Sequence, residues 1–262
     1  MIAELRARRR MLAGLAAGAF VLLLIIGISY ESLALDAFGS AFGKTPPRGI
    51  TAFSGSHDAS FLTPHGWMGF GFNHPMFLVV TLTVAIAVGT GAIAGEVESG
   101  RGELLFTAPL RRTQFLGAAL VVWLVAELVV VAGGLLGAII GALTSAPLRH
   151  AGIADLVWAP LQFLPLAFLV AACAFLASAV SPTRGRATGL AAGAAIVAYL
   201  LNVISGLIPS LDWLRWATPF GYFEPGRAIG DGLRLGPAAL LTALAVLLLL
   251  AARAALLRRD LA

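Results

Sequence analysis

The sequence predicts an all-α membrane protein of six transmembrane helices. Three observations carry that prediction: a large excess of apolar residues, six apolar stretches of spanning length, and arginines clustered beside those stretches. Of the 262 residues, 59% are hydrophobic and only 12% charged, and the mean hydropathy is +0.92. Soluble domains carry about one quarter charged residues, and a globule must still cover its outside with polar groups. Lipid must therefore solvate much of this surface.

The six stretches run near Met11–Tyr30, Met76–Ala94, Phe115–Ile140, Leu156–Val180, Ala187–Ile208 and Pro237–Leu257. Each can cross about 30 Å of hydrocarbon at about 1.5 Å per residue. The first follows Arg6, Arg8, Arg9 and Arg10 and superficially resembles a secretory signal. Its apolar core is too long for one and no clean A-x-A site follows, so it is expected to be a permanent span. Glu31–Pro75, rich in Gly, Ser, Pro and Phe, is expected to be an outer loop able to form a small lid. The third stretch carries Glu127 and a stripe of Gly133, Gly134, Gly137 and Gly141, which suits close packing against another helix. The fourth holds Cys173, the only cysteine, so no intrachain disulfide is possible. The segment Pro209–Gly236 is broken by Pro209, Pro219 and Pro225 yet rich in aromatic residues, which suits an interfacial or re-entrant element. One transmembrane domain over residues 1–262 is expected, and no internal repeat is evident.

Arginine and lysine set the direction. With the N-terminus inside, twelve of the 18 basic residues are cytoplasmic: Arg6, Arg8, Arg9, Arg10, Arg101, Arg111, Arg112, Arg184, Arg186, Arg253, Arg258 and Arg259. The outer set is Lys44, Arg48, Arg149, Arg215, Arg227 and Arg234, although the outer loops are longer. The positive-inside rule then puts both termini in the cytoplasm. The net charge of +5 and pI near 10.3 would suggest nucleic acid in a soluble protein. Here the charge flanks apolar runs, so the membrane is the partner and nucleic acid is not.

The segment between the second and third spans, 96–113, is the most informative. It reads Glu96-Val-Glu98-Ser-Gly100-Arg-Gly102-Glu103-Leu-Leu-Phe-Thr-Ala-Pro109-Leu-Arg111-Arg112-Thr. The glycines free the chain from the second span, and Glu103 suits the start of a short apolar turn over Leu104–Ala108. Pro109 ends that turn, and Arg111 and Arg112 anchor the next span at the interface. The result is a short amphipathic helix along the cytoplasmic face. Its small apolar face and flanking acids fit anionic lipid poorly and a groove on a protein partner better.

This segment resembles the ABC-2-type permeases, in particular the half-size, six-helix subunits of bacterial ABC exporters, through the pattern E-x-E-x-G-x-x-E-L-L-x-x-x-P-[LV]-x-R. The residues that carry it are Glu96, Glu98, Gly100, Glu103, Leu104, Leu105, Pro109 and Arg112. Two further likenesses are Trp216-Ala-Thr-Pro219-Phe220-Gly-Tyr222-Phe223, similar to the family's S-P-F-x-Y-F re-entrant region with Thr218 in place of serine, and the ending Arg258-Arg259-Asp260. Ala118 and Ala119 stand where the family's usual lysine lies. The resemblance implies a coupling helix docked on a separate nucleotide-binding ATPase, which would hold the ATP and magnesium. It also implies a second permease copy or a related permease, and a bacterial cytoplasmic (inner) membrane location.

No nucleotide site is expected in the chain itself. Gly43-Lys44-Thr45 superficially looks like a P-loop, but the glycine required five residues earlier is Phe38, and Pro46 and Pro47 block the helix that must follow. His57, His65 and His74 share the first outer loop with Asp58, yet they and His150 show no metal-ligand spacing, and no nucleophile triad is readable. No metal, cofactor or catalytic residue is therefore assigned to this chain.

An ionised Glu127 in the middle of an apolar span would cost about 3 kcal/mol, so it should face protein or water. It is either a neutral interhelical hydrogen bond or part of a hydrated path, with Asn202 its partner by depth. Two functions compete at this stage. The first is export of a lipidic, amphipathic or drug-like molecule; the second is mechanical transmission to an extracytoplasmic protein, with Glu31–Pro75 as the lever. A membrane-embedded enzyme would need clustered polar residues near one interface, and none is seen.

Overall fold

A computed structural model describes residues 2–43, 47–54, 59–100 and 112–258. The regular structure of these residues is all helical, with no strand among them. Six helices are long and apolar enough to span a membrane: Arg6–Ile28, Pro75–Glu98, Gln114–Leu143, Ile153–Val180, Arg184–Leu207 and Leu235–Arg258. They match the six expected stretches to within a few residues, apart from the first, which starts five residues earlier. The earlier start takes in Arg6, Arg8, Arg9 and Arg10, whose long stems can lie along apolar surface.

Side-chain caps set several helix starts. The Thr183 hydroxyl accepts from the Arg186 amide at 3.4 Å and opens the fifth span. His74 Nδ1 accepts from the Met76 amide at 3.2 Å, with Pro75 at the first helical position of the second span. Burial ranks the spans: in the second and fourth, 67% of the most apolar stretch is buried, against 22% in the fifth and sixth. The second and fourth spans thus form the centre. The fifth presents Leu190, Ile196, Val197 and Leu200 outward, as a lipid-facing or partner-facing helix would.

The glycine stripe explains the tightest pair. A Cβ on Gly133 would come within 2.7 Å of the Ala16 carbonyl oxygen, and one on Gly141 within 2.8 Å of the Leu24 oxygen. At Gly137 the approach to the Phe20 carbonyl is closer still. Contacts advancing by four residues on both helices make the first and third spans parallel, as two crossings in the same direction must be. Ser145 at the end of the third span donates to Glu31 beyond the end of the first at 2.9 Å, which fixes the same polarity. Arg8, the end of the second span and the start of the fifth meet at the other end, called here the amino face.

The described residues of 31–75 do not form a lid set apart from the bundle. Tyr30–Phe38 continues the first span as a widened π-turn helix, and Pro64–Asn73 is a helix with Trp67, Met68 and Phe72 buried. The Trp67 indole donates to the Ile26 carbonyl at 2.8 Å, and the Tyr30 hydroxyl to the Leu62 carbonyl at 3.1 Å. The correction has a physical cause: Phe61, Trp67 and Phe72 carry too much apolar area to leave in water. Such a segment makes a poor free lever.

Candidate functional site

At the amino face the second span ends in a π-turn over Gly91–Gly95, followed by the helical turn Glu96–Glu98. Widened turns of this kind break the i→i−4 ladder and place donors and acceptors toward neighbours. Ser178 of the fourth span meets this one: its Oγ accepts from the amides of Ile93 at 3.2 Å and Ala94 at 2.8 Å, and donates to the Thr90 carbonyl at 3.0 Å. Thr188 of the fifth span donates to the Thr90 hydroxyl at 3.1 Å. The Glu98 carboxylate accepts from the Arg184 amide at 2.8 Å, at the first turn of the fifth span. Arg8 and Arg184 both donate to the Ala87 carbonyl, at 3.2 and 3.4 Å.

Of the residues singled out in 96–113, Glu96, Glu98 and Gly100 lie in this cluster's reach. Glu96 and Glu98 share one helical turn, and Gly100, at φ +71°, leaves the helix in a conformation glycine adopts freely. Glu103, Leu104, Leu105, Pro109 and the side chain of Arg112 lie outside the described residues, as do Lys44, Thr45, His57 and Asp58.

Above the cluster, the second and fifth spans diverge around a groove of about 240 Å³. Leu78, Val79, Leu82, Thr83 and Ile86 line one wall, Ala192, Ala195, Ile196 and Tyr199 the other, and Phe220 caps the far end. The Thr83 hydroxyl is turned back to the Val79 carbonyl at 2.6 Å, which leaves that wall apolar. Tyr199 supplies the contrast. Its hydroxyl is buried with no hydrogen-bond partner, and its ring meets Phe220 edge-on at 5.5 Å. An unsatisfied buried hydroxyl costs about 1–3 kcal/mol unless something bonds it.

The far end is built from the segment 209–231, in two 3₁₀ turns, Pro209–Ala217 and Pro219–Tyr222, and a helix, Pro225–Asp231. Phe220 and Phe223 turn into the bundle, Phe223 against Phe163 of the fourth span at 5.5 Å, while Trp213 and Trp216 remain exposed. Pro219 opens the second turn, capped by Thr218, whose hydroxyl accepts from Gly221 at 3.4 Å. The Tyr222 hydroxyl donates to the Trp216 carbonyl at 2.9 Å. Asn202 belongs to this end: its amide oxygen lies 3.5 Å from the Thr218 hydroxyl. That corrects the expected pairing with Glu127, which sits on another helix pair.

Glu127 is fully buried on the face of the third span that also carries Val130, Val131 and Gly134. Gly134 on that face meets Phe77 of the second span and Leu23 of the first. Neither carboxyl oxygen completes a hydrogen bond among the described residues, and the indole Nε1 of Trp123, one turn earlier, completes none either. Glu127 does not line the groove.

Sequence reasoning passed over Ser178, Gln162 and Tyr199, and used Arg184 only to set the orientation. Gln162 is fully buried in the fourth span and accepts from the Arg234 amide at 3.0 Å, fixing the turn into the sixth span. Beside it Glu224 pairs with Arg234 and, at 3.6 Å, with Arg227. The signal that singled out Glu127, a polar residue inside an apolar run, applies equally to Ser178 and Gln162. Among the described residues no three His, Cys, Asp or Glu side chains gather as a metal site. His65 and His150 each bond a backbone carbonyl, of Ala151 at 2.9 Å and Ala146 at 2.8 Å.

Residues 3–256 match a protein family described as multidrug efflux system permease Rv1217c, C-terminal domain. No curated protein matches the chain at a significant level.

Proposed function

The chain belongs to that family of ABC-type multidrug efflux permeases, and from this premise we propose that it exports apolar or amphipathic molecules, drug-like or lipidic, under the drive of a separate nucleotide-binding ATPase. The amino face is cytoplasmic in this reading, supported by its share of the arginines. The segment 96–113 docks on the ATPase, which holds the ATP and magnesium. Two permease copies, or one with a related permease, complete the path.

One observation carries the reading: the two helices that wall the apolar groove are joined at their amino-face ends by Glu98 and Arg184. A push delivered at 96–113 then reaches both walls together, and a groove can change width only if its walls move. ATP binding at the partner shifts the bundle between two arrangements by preferring one of them. The groove takes an apolar body by burying its surface, at about 25 cal/mol per Å², and the Tyr199 hydroxyl, buried while the groove is empty, turns toward the guest to bond one of its polar atoms. Binding from the lipid is natural for such a molecule, because the fifth span faces outward.

The test fills the groove. Ala195→Trp adds bulk opposite Leu82 and should abolish export of an apolar fluorescent dye from cells, with the protein still present in the membrane. Tyr199→Phe should weaken export of dyes with a hydrogen-bonding group more than of those without one. Export unchanged in both variants would refute the groove as the path.

A further inference from the structure

A second cavity lies at the far face, of about 270 Å³, and its character is opposite to the groove's. Arg48 and Thr51 of the helix Arg48–Ser54, Ser205 at the end of the fifth span, and Pro209, Asp212 and Arg215 of the following 3₁₀ turn line it. Two guanidiniums face one carboxylate. Arg215 is 3.9 Å from Asp212, whose side chain is 56% exposed, so water screens that pair; with Arg48 in the lining the cavity is net positive.

Arg215 is held in place before any ligand arrives. Its guanidinium carbon stacks 4.2 Å from the Trp216 ring centroid. Its carbonyl accepts from the Thr218 hydroxyl at 3.2 Å, and Gly221 packs so closely on that carbonyl that no side chain would fit there. Its side chain is only 20% exposed, with Nε turned into the protein, so only the terminal nitrogens can face the cavity. Arg48 makes no ion pair among the described residues. A guanidinium held by stacking, sharing a polar cavity with a second guanidinium, matches an oxyanion's charge and its need for N–H donors. The exposed Trp213 and Trp216 on the same turn are the residues that mark headgroup depth.

We propose that this cavity is a phosphate-binding site at the membrane surface, in which Arg215 and Arg48 hold the phosphate between them. A phospholipid headgroup and free phosphate share that chemistry. Neither is the molecule that occupies the apolar groove, so the site stands apart from the export reading.

The experiment uses the full chain, purified and delipidated, in native mass spectrometry with phosphatidylglycerol and in thermal unfolding with inorganic phosphate. Arg215→Gln should lower retained phosphatidylglycerol about tenfold, the scale of one lost charge-assisted bond. Arg215→Lys should retain part of it, and Arg149→Gln, an arginine elsewhere on the far face, should change nothing. Asp212→Asn removes an exposed carboxylate with little risk to folding and should raise retention, which a purely structural role for this turn would not do. If inorganic phosphate at millimolar concentration stabilises the wild type but not Arg215→Gln, the bound species is free phosphate. If only the lipid binds, it is a headgroup; both outcomes support the site. Equal lipid retention across wild type, Arg215→Gln and Asp212→Asn, with no stabilisation by phosphate, would overturn it.

Discussion

The carboxylate of Glu98 accepts the backbone amide of Arg184 at 2.8 Å, so the last turn of the second span caps the first turn of the fifth. A carboxylate at a helix start bonds a donor that has no partner within its own helix and meets the positive end of the dipole, together worth about 1 kcal/mol. That is small for stability and sufficient for alignment. Glu98→Ala should leave the protein folded and lower dye export several-fold for each ATP hydrolysed. Arg184→Pro removes the same amide while keeping a residue that suits the first helical position. It should reproduce the loss, whereas Arg184→Ala, which keeps the amide, should not. Equal export per ATP in Glu98→Ala and Arg184→Pro would show that this link transmits nothing.

The parallel contact between the first and third spans depends on missing side chains. Gly137→Ala would drive a methyl group into the Phe20 carbonyl, and the helices must separate or bend. Overpacking of this kind costs about 1–3 kcal/mol. Gly117 on the same helix has open space around it, so Gly117→Ala should be neutral or stabilising by up to about 1 kcal/mol, the helix-propensity difference. Thermal unfolding followed by tryptophan fluorescence in micelles should rank Gly117→Ala at or above wild type, and Gly137→Ala clearly below it.

Glu127 separates packing from transport. It is buried within the bundle and does not line the groove, so its ability to ionise should not matter to export. Glu127→Gln keeps the size and hydrogen-bonding capacity and should preserve expression, assembly and export. Glu127→Leu should cost at most about 0.6–1.7 kcal/mol of helix association. An assembled Gln variant with abolished export would place Glu127 on a hydrated path instead.

The spans were legible because lipid demands length and apolarity, and Met76–Ala94 or Leu156–Val180 can satisfy that demand without help from tertiary contacts. The stripe at Gly133, Gly137 and Gly141 was legible for the same reason, since spacing by four marks one helix face. Its partner was not, because four other helices offered small residues as well. Pairings between distant polar residues were the hidden part. Depth alone matched Asn202 to Glu127, but Asn202 sits beside Thr218, whose turn is set by Pro219 and Gly221. The groove was equally hidden, since Leu82 and Ala195 look like any lipid-facing residues until two helices diverge. Pro64–Asn73 reads as loop in a segment rich in Gly, Ser, Pro and Phe, although its Trp67 and Phe72 need burial.

In the proposed function a separate ATPase drives this permease through the segment between its second and third spans. The most direct measurement compares ATP hydrolysis and dye export in proteoliposomes holding the complex co-purified with the tagged chain. The chain alone should hydrolyse no ATP, and the complex should couple hydrolysis to export. Glu103→Arg and Leu105→Asp place a wrong charge in a docked surface, a loss of about 2–5 kcal/mol when desolvated. Both should either lose the ATPase or hydrolyse ATP without export. Export that needs no ATP, or wild-type coupling in both variants, would contradict the account.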